Sequence, residues 1–105
     1  MTELLARTEE KIGYTFKDKT LLRKALTHSS YLNEHREAEE CNERLEFLGD
    51  SVLSLICSDH LYRTQGRNEG EMTKTKALLV CEEALSTYAR ELELGESLLL
   101  GRGEK

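Results

Sequence analysis

The chain has 105 residues, enough for one domain with a modest core. Hydrophobic residues make up 38% and charged residues 33%, with no Pro and no Trp, which suits helices with wet outer faces and short Gly-marked connections. The formal net charge of -5 argues against holding nucleic acid by an overall basic excess, and no apolar run is long enough to span a bilayer.

The first helix is expected over residues 3 to 11, with Thr2 as its cap, Leu4, Leu5 and Ile12 on its apolar side, and Gly13 ending it. Charge alternates with Leu here in place of a signal-peptide core, so a soluble, cytoplasmic chain with no membrane contact is expected. Asp18 caps a second helix through about Leu26, with Leu21, Leu22, Ala25 and Leu26 inward, and Thr27 to Ser30 closes it. Asn33 to Glu40 is polar and charge-dense, an exposed loop or turn. Asn42 caps a long helix reaching about Arg63, and Gln65-Gly66-Arg67-Asn68-Glu69-Gly70 reads as a turn. Two more helical stretches follow, carrying Met72, Ala77, Leu78 and Val80, then Ala84, Leu85, Tyr88, Ala89 and Leu92, with a break near Cys81 to Glu83. Thr73 is expected to cap the first of these and Gly95 to terminate the second, leaving Leu98, Leu99 and Leu100 as an end piece before a Gly-rich tail. The whole reads as an all-α domain.

The long helix carries the chemistry. At about 100° per residue, Glu43, Glu46 and Asp50 fall within a stripe of about 60°, beside an apolar arc of Leu45, Leu48, Gly49, Val52, Leu53 and Ile56 that reads as core. Carboxylates at the edge of a core need a compensating charge, and a divalent metal is the obvious one, so Glu46 and Asp50 are candidate metal ligands. Phe47 projects about 100° from Glu46, away from the centre of the arc, with the small Ser51 and Ser54 nearby. Either a partner subunit or another helix of the same chain covers it. Lys74, Lys76 and Arg63 to Arg67 are local basic clusters that either hold a phosphate backbone or are solvated helix surface. Cys41, Cys57 and Cys81 lack Cys-x-x-Cys spacing and read as reduced packing residues. His28 is expected to hold the long helix through a hydrogen bond, while His35 and His60 look exposed, and no serine has a His-Asp arrangement for nucleophilic catalysis.

The run Asn42-Glu43-Arg44-Leu45-Glu46-Phe47-Leu48-Gly49-Asp50, with four charges in fixed places, closely resembles the signature motif of the ribonuclease III family. The likeness extends upstream to Gly13-Tyr14-Thr15-Phe16, Leu21-Leu22 and Ala25-Leu26-Thr27-His28-Ser29-Ser30. Downstream it takes in Glu69-Gly70-Glu71-Met72-Thr73, Glu93-Leu94-Gly95-Glu96 and Gly101-Arg102-Gly103-Glu104. It covers essentially the whole chain in the same order as bacterial members.

That resemblance implies a helical endonuclease domain over residues 1–105, truncated on its C-terminal side and without a double-stranded-RNA-binding domain. It implies magnesium-dependent hydrolysis of double-stranded RNA, with manganese as a substitute, by a homodimer that leaves staggered ends in ribosomal and other RNA processing. Glu46 and Asp50 match the metal-binding catalytic acids, Glu43 an accessory or RNA-contacting acid, and Glu69 an acidic position in a turn. Phe47 matches the anchor of the dimer contact. Family members continue into another helix carrying an Asp and a Glu that complete the metal site, so an alternative function is a non-catalytic dimerisation or RNA-binding module with the nuclease fold.

Overall fold

A computed structural model of the chain describes residues 1–35, 40–64, 66 and 68–102. Helices carry most of it: α1 (Thr2–Ile12), α2 (Lys19–Leu26), α3 (Ser29–Glu34), α4 (Glu43–Thr64), α5 (Glu69–Leu79) and α6 (Glu82–Glu91), followed by a 3-10 turn at Leu94–Ser97. Among the described residues, β pairing is limited to a single parallel bridge between Thr27 and Leu99, so the all-α expectation holds. No helix of the described residues is long and apolar enough to cross a membrane.

Local chemistry sets the N-terminal half. Thr2 lies inside the first turn of α1 instead of capping it, since Met1 takes the cap position without a side-chain bond. Gly13 ends α1 at φ 70°, with its N–H on the Glu9 carbonyl. Asp18 caps α2 through its Oδ1, which accepts from the Thr20 N–H at 3.0 Å. The Glu9 carboxylate accepts from both the Lys19 ammonium and the Phe16 N–H, each at 2.6 Å, and so ties the loop between the two helices back onto α1. The Lys19 bond first, then the Phe16 N–H, holds the Glu9 carboxyl below the usual carboxylate range. Leu5, Leu22 and Leu26 form the core cluster with Phe16 packed against it, whereas Leu21 and Ala25, expected inward, are exposed.

The stretch expected to close α2 opens another helix. His28 caps α3, its Nδ1 accepting from the Ser30 N–H at 3.1 Å, so its side chain serves α3 and not the long helix. Asn33 and Glu34, read as loop, belong to α3; residues 36–39 of that expected loop lie outside the described residues. His35 is half-buried, its ring stacked on Tyr31 at 3.9 Å, while His60 is exposed as expected.

Farther along, Asn68 caps α5 by accepting from the Glu71 N–H at 2.9 Å. Glu69 and Gly70 are therefore the first residues of a helix and not part of a turn, and Thr73 is inside α5 with its hydroxyl on the Glu69 carboxylate. Gln65 and Arg67 of the expected turn lie outside the described residues. Cys81 caps α6 through its sulfur and is exposed, not packed; Cys41 and Cys57 are half-buried, and all three are free thiols. Glu93 takes the left-handed conformation after α6 (φ 55°), and Gly95 sits inside the 3-10 turn instead of terminating the helix.

The main departure concerns α4, which packs chiefly on α5, with Leu61 buried. Leu48, Val52 and Ile56, expected as core, are 59%, 48% and 60% exposed. The reason is visible in the helix itself: apolar residues occur all round it, a pattern that calls for cover on more than one side, while among the described residues only α5 lies along it in strength. The chain is correspondingly elongated, 49 × 27 × 22 Å with a radius of gyration of 16.1 Å, against about 13 Å for a compact domain of 100 residues.

Candidate functional site

Asn42 sits at the entry to α4. Its carbonyl accepts from the Glu46 N–H at 2.8 Å, and its side-chain amide donates to the Ala25 carbonyl at 3.2 Å. Its own N–H donates to the Thr27 carbonyl at 2.8 Å, which anchors the first turn of α4 to the end of α2. The first two turns then carry Glu43, Glu46 and Asp50 on one side.

All three carboxylates are exposed, so the partly desolvated setting expected for them is absent. Among the described residues, no element covers this side of the first turns of α4. Neither Glu46 nor Asp50 has an ion-pair partner among the described residues, and no described arginine neutralises either. Their i and i+4 spacing puts the Cβ atoms about 5–6 Å apart, near enough for one ion to reach both. Among the described residues, no group of three or more His, Cys, Asp and Glu side chains comes together to hold a metal.

Glu43 stands apart from the pair in one respect: it lines a groove with Lys24, Glu40, Arg44, Leu45, Phe47 and Leu48. Glu40 bridges Lys24 at 2.9 Å and Arg44 at 3.5 Å across that groove, and the Lys24 ammonium, more than Arg44, holds the Glu40 carboxyl low. Nothing in the sequence pointed to this pairing: Glu40 precedes α4, and Lys24 comes from α2. Phe47 is 81% exposed, so no other helix of the described chain covers it. By helical phase Phe47 lies between the acid stripe and an exposed apolar arc of Leu48, Val52, Leu55, Ile56 and Tyr62 about 120° wide, centred roughly opposite the acids.

Glu69 is elsewhere. It lines a separate cleft with Ser58, Leu61, Tyr62, Met72, Thr73 and Lys76, and Ser58 is about 12 Å along α4 from Asp50. Of the basic residues, Lys76 reaches the Ser58 hydroxyl at 3.3 Å and Arg63 pairs with Asp59 at 2.8 Å, whereas Arg67 lies outside the described residues.

The Ribonuclease-III-like family model matches residues 18–105. Ribonuclease 3 of Caldanaerobacter subterraneus subsp. tengcongensis is 52% identical over 103 residues, covering 97% of this chain and 45% of that protein. Ribonuclease 3 of Oceanobacillus iheyensis is 54% identical over 99 residues, covering 92% and 43%. This chain thus spans less than half the length of these curated relatives. The ribonuclease III nuclease domain of Campylobacter jejuni, described as having structural flexibility in a region involved in dimer formation, superposes with a TM-score of 0.80 at 39% identity. That match covers 93% of this chain and 66% of the Campylobacter one. With the signature run on α4, the helical fold and relatives above half identity all in agreement, the chain belongs to the ribonuclease III family.

Proposed function

We propose that residues 1–105 form part of a nuclease domain that hydrolyses double-stranded RNA with a divalent metal, magnesium or manganese, held by Glu46 and Asp50. The observation that carries this reading is the pair itself: two carboxylates one turn apart on the signature helix, neither with an ion-pair partner among the described residues. Hard oxygen donors of this kind suit magnesium, which binds through one or two carboxylates and fills its shell with water and phosphate oxygens. Such an ion, when bound, would activate water and neutralise the nonbridging oxygens of the phosphodiester. Glu46 and Asp50 would hold it, and Glu43, at the groove with Arg44 and Lys24, would act beside them or touch RNA. Glu69, which lies in the α4–α5 cleft, fits an RNA-contacting role better than a ligand role in this pair. Exposure of Phe47 supports its use as the anchor of a homodimer in which each subunit cuts one strand to leave staggered ends. The natural substrates would be structured precursors such as ribosomal RNA, in the cytoplasm.

A second reading, a non-catalytic dimerisation or RNA-binding module, is favoured by the absence of a third metal-directed side chain among the described residues. Incubating the chain with a long RNA duplex separates the two. Short staggered products with magnesium and none with chelator are expected, and Glu46→Gln with Asp50→Asn should lower the cleavage rate by at least about 100-fold, the scale of losing a group that positions the reacting centre. Intact duplex in magnesium, with the duplex bound, would favour the second reading.

A further inference from the structure

The segment after the 3-10 turn is gripped by α3. The Ser30 hydroxyl accepts from the Gly101 N–H at 2.8 Å and lies 2.7 Å from His28 Nδ1. Since that nitrogen also accepts from the Ser30 N–H, the hydroxyl proton points to it. The Glu34 carboxylate accepts from the Arg102 N–H at 2.7 Å. Gly101 is buried, and a Cβ added there would run into the Glu34 carboxylate and come within 2.7 Å of the Ser30 carbonyl oxygen, which is backbone and cannot swing aside. Two residues earlier, Leu99 donates to the Leu26 carbonyl at 2.8 Å and accepts from the His28 N–H at 3.0 Å. Between them Thr27 is 1% exposed, and its carbonyl accepts from the Asn42 N–H; the Asn42 carbonyl in turn accepts from the N–H of Glu46.

From these bonds we infer that Ser30, Glu34 and Gly101 form a clasp that fixes the first turn of α4, making them positioning residues for the Glu46 and Asp50 carboxylates. The inference rests on the reading of that pair as metal ligands. The route is short and continuous. Gly101 locks the tail to α3, the tail braces Leu26 to His28 along one edge, and the Thr27 carbonyl holds the residue from which α4 starts. Glu46 makes the first backbone hydrogen bond of the helix, so a slack entry moves one carboxylate relative to the other, whose amide is deeper in the helix. Supporting groups of this kind set ligand geometry without touching the ion.

The test uses the whole chain and manganese as the probe. Amide hydrogen exchange at Asn42 and Glu46, thermal melting, and manganese affinity from water-proton relaxation are compared for wild type, Gly101→Ala, Glu34→Ala and Glu34→Gln. The expected result is that Gly101→Ala and Glu34→Ala stay folded, lose protection at Asn42 and Glu46, and bind manganese about 10-fold more weakly, while Glu34→Gln, which keeps an acceptor for Arg102, stays near wild type. Should Gly101→Ala fail to fold, the two Glu34 variants carry the comparison, since they leave the backbone free of new contacts. Folded alanine variants with wild-type exchange at both amides and wild-type manganese affinity would overturn the clasp. A wild-type chain that binds no manganese would instead overturn the metal reading itself, and that measurement comes before any variant.

Discussion

Leu22 and Leu55 are the same residue type on two helices, yet Leu22 is 3% exposed and Leu55 is 70% exposed. Leu22→Ala removes atoms from the core cluster and should cost about 2–4 kcal/mol, whereas Leu55→Ser should change stability by no more than about 0.5 kcal/mol, as read from urea midpoints at unchanged m-value. A large loss for Leu55→Ser would mean that this side of α4 is covered in solution. Titration adds a second expectation. The folded Glu9 carboxyl is held below its ordinary value by Lys19 and Phe16, so its contribution is present above the unfolded value and lost as pH falls through the folded one. Melting temperature should therefore drop on acidification below about pH 4.5, and the drop should be shallower in Glu9→Gln. An equally steep drop in that variant would remove Glu9 as a source. Single residues with strong backbone preferences were the ones legible in the sequence: Gly13 as a left-handed stop and Asp18 as a cap. Thr2 and Thr73 misled because either can serve at a cap or inside a turn, and Asn68, with its longer-reaching amide oxygen, took the role expected of Thr73.

At the scale of elements, period and caps gave α1, α2, α4, α5 and α6 to within a few residues, but α3 escaped. Six residues carry too little periodicity to distinguish a helix from a turn, and what makes this one is a histidine acting as a cap, a residue rarely read that way. For α4 the sequence told which residues are apolar and not what covers them. The acid spacing survived and its supposed burial did not, because burial belongs to the neighbour and spacing to the helix. Phe47 is where this matters for assembly. If the exposed ring anchors a homodimer, Phe47→Glu should turn a dimeric species monomeric in sedimentation equilibrium while leaving the melting of α1 and α2 intact, since Phe47 is no part of the core cluster. Unchanged mass in the variant would place the contact elsewhere.

The described residues hold a small core around Leu5, Leu22 and Leu26, and a long helix on which Leu48, Val52, Leu55, Ile56 and Tyr62 are exposed. The chain spans 66% of the Campylobacter nuclease domain and under half of its curated relatives. A chain with a net charge of -5 gains little from general attraction to phosphate, so any affinity for RNA should depend on the metal more than on salt-sensitive lysines. One titration tests the metal-binding role of Glu46 and Asp50 most directly: manganese added to the chain and to its Glu46→Gln, Asp50→Asn variant, followed by water-proton relaxation. Saturable binding in the wild type and its loss in the folded variant are predicted; equal binding by both, or none by either, would contradict it.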